Sequence, residues 1–344
     1  MASSGEIPAH GGPRAVRRGA GWRIGRALLA ALGLAALLVA AGAAYEAASA
    51  PGDAARFPPP GQLVDVGGYR MHLHCVGQGS PTVVLASGAG GFSAEWSQVQ
   101  QELAKTTRAC AFDRAGLGWS DPGPEPRTPG QIAAELDTLL SRAGVEGPLV
   151  LVAHSAGGKH VRLFAQRRPQ DVVGLVLVDT RSEYVEDRQT PEEAAAELRG
   201  TAEFYQLIGR ARALGLVRLA WAELWPAALP VTAKLSPELR HLLGIIQSRP
   251  GHIATALAEN EAAAADNDAL RNASLGDTPL VLLGAGQTIA NIPSWRGSLE
   301  YQAGLSSDSR LTTVADADHS LHWDHPELVV SAMQELVGAG REPA

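Results

Sequence analysis

Past residue 61, short apolar runs alternate with longer amphipathic ones. Residues 82–86, 108–112, 148–153 and 172–178 are short, mostly apolar runs bounded by Gly, Pro or Asp, which predicts buried strands. Residues 280–283 and 311–314 read as two further strands. Residues 62–67 and 70–76 flank Gly67-Gly68, the signature of a hairpin. Helical periodicity fills 95–105, 128–143, the stretch from Ser155 to about Arg168, and 326–337. Strands apolar on both faces that alternate with helices predict an α/β fold, with a mostly parallel central sheet flanked by helices.

Two stretches break this rhythm. Residues 182–277 are rich in Ala and Glu and helical almost throughout. A strandless run of that length between two sheet strands reads as a helical insertion, a lid over 182–278 between core segments 62–181 and 279–344. The second exception is the N-terminus. Residues 27–45 hold no charge, and 19 helical residues reach roughly 28 Å, close to the hydrocarbon thickness of a bilayer. Arg14, Arg17, Arg18, Arg23 and Arg26 make segment 1–26 basic, so it should stay cytoplasmic and send the rest outward. A signal peptide's apolar region is usually ~7–15 residues, shorter than this run, so an uncleaved signal anchor is the expectation. The alternatives are a signal peptide cut within 43–50, releasing a secreted protein, and a buried soluble helix. Residues 46–61, with Pro51, Gly52, Pro58, Pro59, Pro60 and Gly61, read as a linker. The expected location is thus the cell membrane, single-pass, with the folded domain exported.

Composition narrows the classes. Of 344 residues, 45% are hydrophobic and 19% charged, with 38 Gly and 22 Pro, which excludes a disordered, collagenous or multi-span membrane chain. A net charge of −7 leaves no basic footprint for nucleic acid. Two cysteines, Cys75 and Cys110, are too few for a disulfide scaffold or a thiolate zinc site.

The chemistry centres on Ser155. It stands where an apolar strand turns into a helix, within Ala153-His154-Ser155-Ala156-Gly157-Gly158. A nucleophile on such a sharp turn needs small neighbours, and Ala153, Gly157 and Gly158 supply them. The bland reading is a helix N-cap serine. A serine nucleophile needs a base, and the base needs an orienting acid. His319 follows the last short strand, Asp179 ends the strand after the serine's helix, and the chain order is Ser, Asp, His.

With these residues in hand, the chain resembles the α/β-hydrolase superfamily in its lid-bearing branch. Residues 82–91 with Glu95-Trp96 resemble its strand and oxyanion loop. Asp113-Arg114-Ala115-Gly116-Leu117-Gly118-Trp119-Ser120 resembles its D-x-x-G-x-G-x-S turn, and residues 151–158 resemble its nucleophile elbow with Ala153 in place of the first Gly. His319-Ser320-Leu321-His322-Trp323-Asp324-His325-Pro326 resembles its histidine loop. The likeness spans residues 62 to 338. It implies that Ser155 attacks a carbonyl, His319 carries the proton, and the backbone N–H groups of Ala89 and Ala156 hold the oxyanion. Ser87 stands where members often have His, which backbone donors do not depend on. The usual place for the acid follows residues 280–283, and no carboxylate stands there. The family also accepts an acid after the preceding strand, which assigns the role to Asp179 over a turn-capping one. Asp316 and Asp318 are too near His319 in sequence to face its ring.

The implied activity is cleavage of an ester, thioester, lactone or amide of a small apolar or amphipathic substrate, through an acyl-enzyme and without a cofactor. Serine at the nucleophile position excludes the Asp-dependent epoxide and haloalkane chemistries of this fold. The alternatives are a non-catalytic ligand-binding protein of the same fold and a membrane acyltransferase. In this fold the strands carrying Cys75 and Cys110 are antiparallel neighbours, so export allows a disulfide between them, against two buried free thiols. Among the lid's apolar residues, Phe204, Tyr205, Leu214, Leu216, Leu219, Trp221, Leu224, Trp225, Leu242, Leu243, Ile245 and Ile246, most should pack the lid on the core and some should line an acyl pocket. Several signals are set aside. His319, His322 and His325 lack helical metal-ligand spacing, so no metal site is assigned. The loop at Gly88–Gly91 has Ser93 where a nucleotide fingerprint needs Gly. His72 and His74 read as surface or hairpin residues, His154 as a packing or pocket residue, and Lys159 and Arg162 as solvated. Oligomeric state is not legible.

Overall fold

The computed structural model describes residues 20–228 and 230–340. The basic stretch up to residue 19, with Arg14, Arg17 and Arg18, lies outside the described residues, as do 341–344 and the side chain of Leu224. The chain opens with α1 (Ala20–Ser49), a 3-10 turn at Ala50–Gly52 and α2 (Asp53–Arg56). The core follows as β1 (Gln62–Asp65), β2 (Arg70–Val76), β3 (Thr82–Ala86), α3 (Ser97–Leu103), β4 (Ala109–Phe112), α4 (Pro129–Arg142), β5 (Leu149–His154), α5 (Gly157–Arg167) and β6 (Val172–Val178). The insertion contains α6 (Glu183–Glu186), α7 (Pro191–Ala213), α8 (Leu216–Ala228), α9 (Pro237–Gln247), α10 (Pro250–Glu261) and α11 (Asn267–Arg271). The core resumes with β7 (Leu280–Ala285), α12 (Gly286–Asn291), α13 (Trp295–Ala303), β8 (Ser309–Val314), α14 (Leu321–Asp324) and α15 (Pro326–Ala339).

Among the described residues the strands form one eight-stranded sheet in the order β1-β2-β4-β3-β5-β6-β7-β8. Only β2 runs against its neighbours, β1 and β4. From β4 to β8 every pairing is parallel, which gives the expected mostly parallel α/β architecture. Successive strand residues enter opposite layers, as the two-residue period demands. Val84, Leu151, Leu175 and Leu282 pack under Leu136, Leu140 and Phe164 of α4 and α5. Val83, Val150, Val176 and Val281 pack under Val99, Val329 and Met333 of α3 and α15. Both faces are covered, so the strands read as apolar runs. At the antiparallel edge Cys75 stands directly opposite Cys110, and a disulfide joins them.

The structure departs from expectation at the linker and at the elbow helix. Residues 46–56 are largely helical, and Glu46 and Asp53 are buried against the lid by Arg212 and Arg218. Pro51 falls in the first turn of the 3-10 segment, where it does not interrupt a helix. Lys159 and Arg162 are buried, not solvated. Arg162 forks onto Glu183 with two bonds of 2.8 Å, and the ammonium of Lys159 lies 2.7 Å from Glu186. The insertion covers the face of α5 that would otherwise meet water, so its carboxylates meet these cations there.

Candidate active site

Strand β5 delivers Ser155 to the carboxyl end of the sheet. Its φ is +53°, in the left-handed region that few non-glycine residues adopt. Close packing around the turn explains the small neighbours. A Cβ on Gly157 would stand 2.8 Å from the Ser87 carbonyl, and one on Gly158 would stand 2.7 Å from Thr180 Cβ. A Cβ on Gly88 would stand 2.9 Å from that of Ser155. The turn is tied to β6 by Ser155 N–H donating to the Val178 carbonyl at 3.2 Å.

Ser155, Asp179 and His319, 140 and 164 residues apart in their pairings with the histidine, meet at this end of the sheet. Ser155 Oγ lies 3.0 Å from His319 Nε2, and His319 Nδ1 lies 2.7 Å from Asp179 Oδ2. Asp179 is fully buried and also has a positive φ of 45°. Its other oxygen accepts from the Ala285 N–H at 2.9 Å and the Trp295 indole N–H at 2.8 Å. The end of β7, where the resemblance would first place the acid, therefore offers Asp179 a donor. Trp295 also sets its ring edge-on to the His319 ring, with centroids 5.6 Å apart. Sequence reasoning did not single out Trp295, and the lone signal for it is an aromatic at the first turn of α13.

His154 is a positioning residue for this loop. Its Nε2–H donates to the His319 carbonyl at 2.9 Å, and its ring stacks between those of His319 and His322. Burial, then the nearby His322 and His319, holds its pKa well below the ordinary histidine value, so it stays neutral. Burial likewise brings His322 down to about 3. The three histidines of the loop diverge: His319 faces Ser155, His322 packs on Trp96 and His154, and His325 turns toward Glu327. Asp318 spends its carboxylate on the N–H of Ser320.

The loop carrying Ala89 is braced on every side. Ser87 Oγ donates to the Phe92 carbonyl at 3.0 Å. Arg114 donates to the carbonyls of Ser87 and Gly88, both at 2.8 Å, and to the lid carboxylate of Glu259 at 2.9 Å. Those carbonyls face Arg114, and Ala89 lines the same cavity as Ala156 and Ser155. Glu95 follows the loop and accepts from Gln247 of α9 at 2.9 Å. Burial pushes its carboxyl up to about 8, with Arg114 and Gln247 opposing and Asp113 adding to the rise. His72, expected as a surface or hairpin residue, stands on the hairpin strand β2 and is buried beside Asp113, with Nδ1 at 3.0 Å from its carboxylate. The same carboxylate takes the N–H groups of Ser93 and Trp119, so the hairpin, the loop after β3 and the D-x-x-G turn converge on it.

The cavity holds about 570 Å³ and runs from Ser155 and His319 between α7, α10 and α12. Its wall is mixed: Leu198, Ile292 and Trp295 alternate with Arg181, Glu197, Gln287 and Asn291. Of the lid residues expected to line an acyl pocket, Tyr205 does so. Trp225, Leu242, Leu243 and Ile246 pack instead with Phe92 and Trp323 in a separate cluster that roots the lid. Phe204, Leu216 and Leu219 are exposed. Periodicity identifies an apolar helix face but not which element it meets.

The sequence model of the "Alpha/beta hydrolase family" matches residues 83–332. A probable transporter, efuK, of Hormonema carpetanum is 35% identical over 37% of this chain and 19% of its own length. An AB hydrolase superfamily protein of Gibberella zeae is 37% identical over 30% of this chain and 33% of its own. The chain thus spans between about a fifth and a third of the length of these curated relatives. Among solved structures, a thermophilic esterase from Thermogutta terrifontis is 24% identical with a TM-score of 0.60, covering 81% of this chain and 98% of its own. The epoxide hydrolase CorEH is 21% identical with a TM-score of 0.62 over the same shares. At such identities these structures carry the fold alone.

Proposed function

The chain belongs to the alpha/beta hydrolase family, and from that premise we propose that it is a serine hydrolase acting on carboxylic esters or closely related acyl compounds. The observation that carries this reading is the continuous line from Asp179 Oδ2 through His319 to Ser155 Oγ, at 2.7 and 3.0 Å. The buried carboxylate keeps the proton on Nδ1, so Nε2 accepts from the serine hydroxyl. Ser155 Oγ attacks the acyl carbon and its proton passes to Nε2. The carbonyl electrons move to oxygen, and the N–H groups of Ala89 and Ala156 hold the resulting oxyanion. Collapse breaks the bond to the leaving alcohol, which takes the proton from Nε2 and leaves an acyl ester on Ser155. Water then repeats the cycle with His319 as base, releasing the acid and restoring the serine. A donor of the oxyanion kind is worth about 10²–10³ in turnover. No step calls for a metal or cofactor, and the mixed wall of the cavity suits an amphipathic substrate.

In the same reading α1 is an uncleaved anchor. It is long and apolar enough to cross a membrane, and its end is bound into the folded domain through Glu46, buried against Arg212 and Arg218 at 2.8 and 2.5 Å. Cleavage within 43–50 at or beyond that residue would strip a buried partner from both arginines.

The test is covalent labelling with a fluorophosphonate, comparing wild type with Ser155→Ala in the full chain. The expected result is labelling of the wild type alone. A folded wild type that stays unlabelled overturns the hydrolase reading in favour of ligand binding.

A further inference from the structure

A second cavity, of about 510 Å³, opens between α7 and α10. Gly209, Ala213, Pro250, Ile253 and Leu257 line it, and Glu46 of α1 stands at its edge. Tyr205 belongs to its wall and to that of the Ser155 cavity. The hydrolase mechanism leaves this space unused.

The depth of the lid relative to α1 can be read from the sequence of contacts. Glu46 is the first charge after the apolar run, so it marks the level at which a spanning α1 would leave the hydrocarbon. Gly42 lies one turn inside that run, about 5 Å deeper. A side chain at Gly42 would collide with the Leu214 carbonyl, so the turn between α7 and α8 touches α1 at this depth. Leu216 and Leu219 follow the turn directly, and Phe204 and Leu207 stand about two to three helical turns before it on α7. Phe204 and Leu207 on α7 are 56% and 64% exposed, and Leu216 and Leu219 on α8 are 48% and 63% exposed. Each pair has the three-residue spacing that puts both members on one helix face. The attachment is rigid and charge-balanced. Arg212 and Arg218 meet Glu46 and Asp53 at 2.5 to 3.2 Å, with all four side chains at most 11% exposed.

We propose that Phe204, Leu207, Leu216 and Leu219 seat the lid in the outer surface of the membrane that α1 crosses, so that the enzyme draws a membrane-borne, long-chain ester past Tyr205 to Ser155. The bilayer is the occupant because the turn that leads into Leu216 and Leu219 packs on α1 at Gly42, inside the apolar run that would enter it, near the headgroup boundary where the apolar face of an interfacial helix lies. The proposal rests on the anchor and hydrolase readings above.

The test reconstitutes the full chain in vesicles of phosphatidylcholine and phosphatidylglycerol. An environment-sensitive fluorophore is attached in turn to Leu34→Cys on α1, Leu219→Cys on the lid and Lys105→Cys on the far side of the core. Turnover is followed with 4-methylumbelliferyl oleate in the bilayer and 4-nitrophenyl acetate in solution. The expected result is blue-shifted emission, quenched by spin-labelled lipid, at positions 34 and 219 but not at 105. The Leu216→Glu/Leu219→Glu variant should lose at least tenfold on the oleate and stay within twofold of wild type on the acetate. A label at 219 that remains in water while the one at 34 is quenched overturns the seating and leaves the anchor intact. A label at 34 in water removes the anchor and the proposal together. Equal losses on both esters overturn the membrane-borne substrate. Turnover of neither ester by wild type fails the hydrolase reading, and the labels then still decide where the lid sits.

Discussion

At Asp179 a single buried carboxylate serves three donors, the Ala285 N–H, the Trp295 indole and the His319 ring. Asp179→Asn replaces the acceptor opposite Nδ1 with an amide that can donate there, favouring the tautomer in which Nε2 carries the proton. The variant should fold, and kcat/KM for a reactive ester should fall by about 10³–10⁴-fold. Trp295→Phe is the finer probe. It keeps an aromatic edge against the His319 ring and leaves Asp179 Oδ1 with the Ala285 N–H alone. A hydrogen bond to a charged group is worth about 1.5–3 kcal/mol, so kcat should fall by about tenfold or more. Because Trp295 also lines the cavity, the diagnostic readout is the split, with kcat changed and KM nearly unchanged for a short acyl ester. A larger effect on KM would make Trp295 a substrate-contact residue and not a support for the acid.

The elements that carry the site are held by charges that cross from core to lid. Arg162 of α5 and Glu183 of α6 are both fully buried, so removing one leaves the other charged and unpaired. Glu183→Gln should lose about 3–5 kcal/mol in urea unfolding, whereas Arg162→Met/Glu183→Leu should recover most of it. Glu95, at the junction of the loop after β3, α9 and the histidine loop, has the opposite electrostatics: it holds its proton up to about pH 8 in the folded chain. Unfolded, it would release that proton near pH 4.5, so between about 4.5 and 8 the native state binds more protons and stability falls as pH rises. Glu95→Gln should remove this slope, and thermal melts at pH 5 and pH 8 would show the wild type losing more than the variant. These contacts also mark the limit of sequence reading. Ser155, Asp179 and His319 were legible because each ends a strand or follows one, and strand ends are punctuated by small and turn-forming residues. Arg114 and Glu259 were not joined by any local signal, since 145 residues separate them and one stands in the core, the other in the lid. Lys159 and Arg162 read as solvated because a charged helix face looks the same whether water or a second layer of carboxylates covers it.

For the molecule as a whole, the decisive boundary is where the N-terminal segment stops being separable. Hydropathy places the end of the apolar helix at residue 45 and Pro and Gly content suggests a free linker to 61, yet Glu46 and Asp53 belong energetically to the lid. A chain starting at Ala44 keeps both carboxylates. One starting at Pro58 leaves Arg212 and Arg218 without any of their four ion pairs. Truncation also lets water reach the two guanidiniums, which softens the loss from the value for a sealed interior, so the shorter chain should be less stable by about 2–4 kcal/mol. Urea unfolding of the two truncated chains measures this difference. Because α7 forms part of the wall of the Ser155 cavity and carries Arg212, the shorter chain should also lose lid order, seen as faster amide exchange in 191–213 than in β5 and β6. Equal stabilities and equal exchange would show that the four charges merely coincide and that the lid stands without its anchor. A difference confined to the lid would mean that α1 and the shape of the active-site cavity are coupled through one buried cluster.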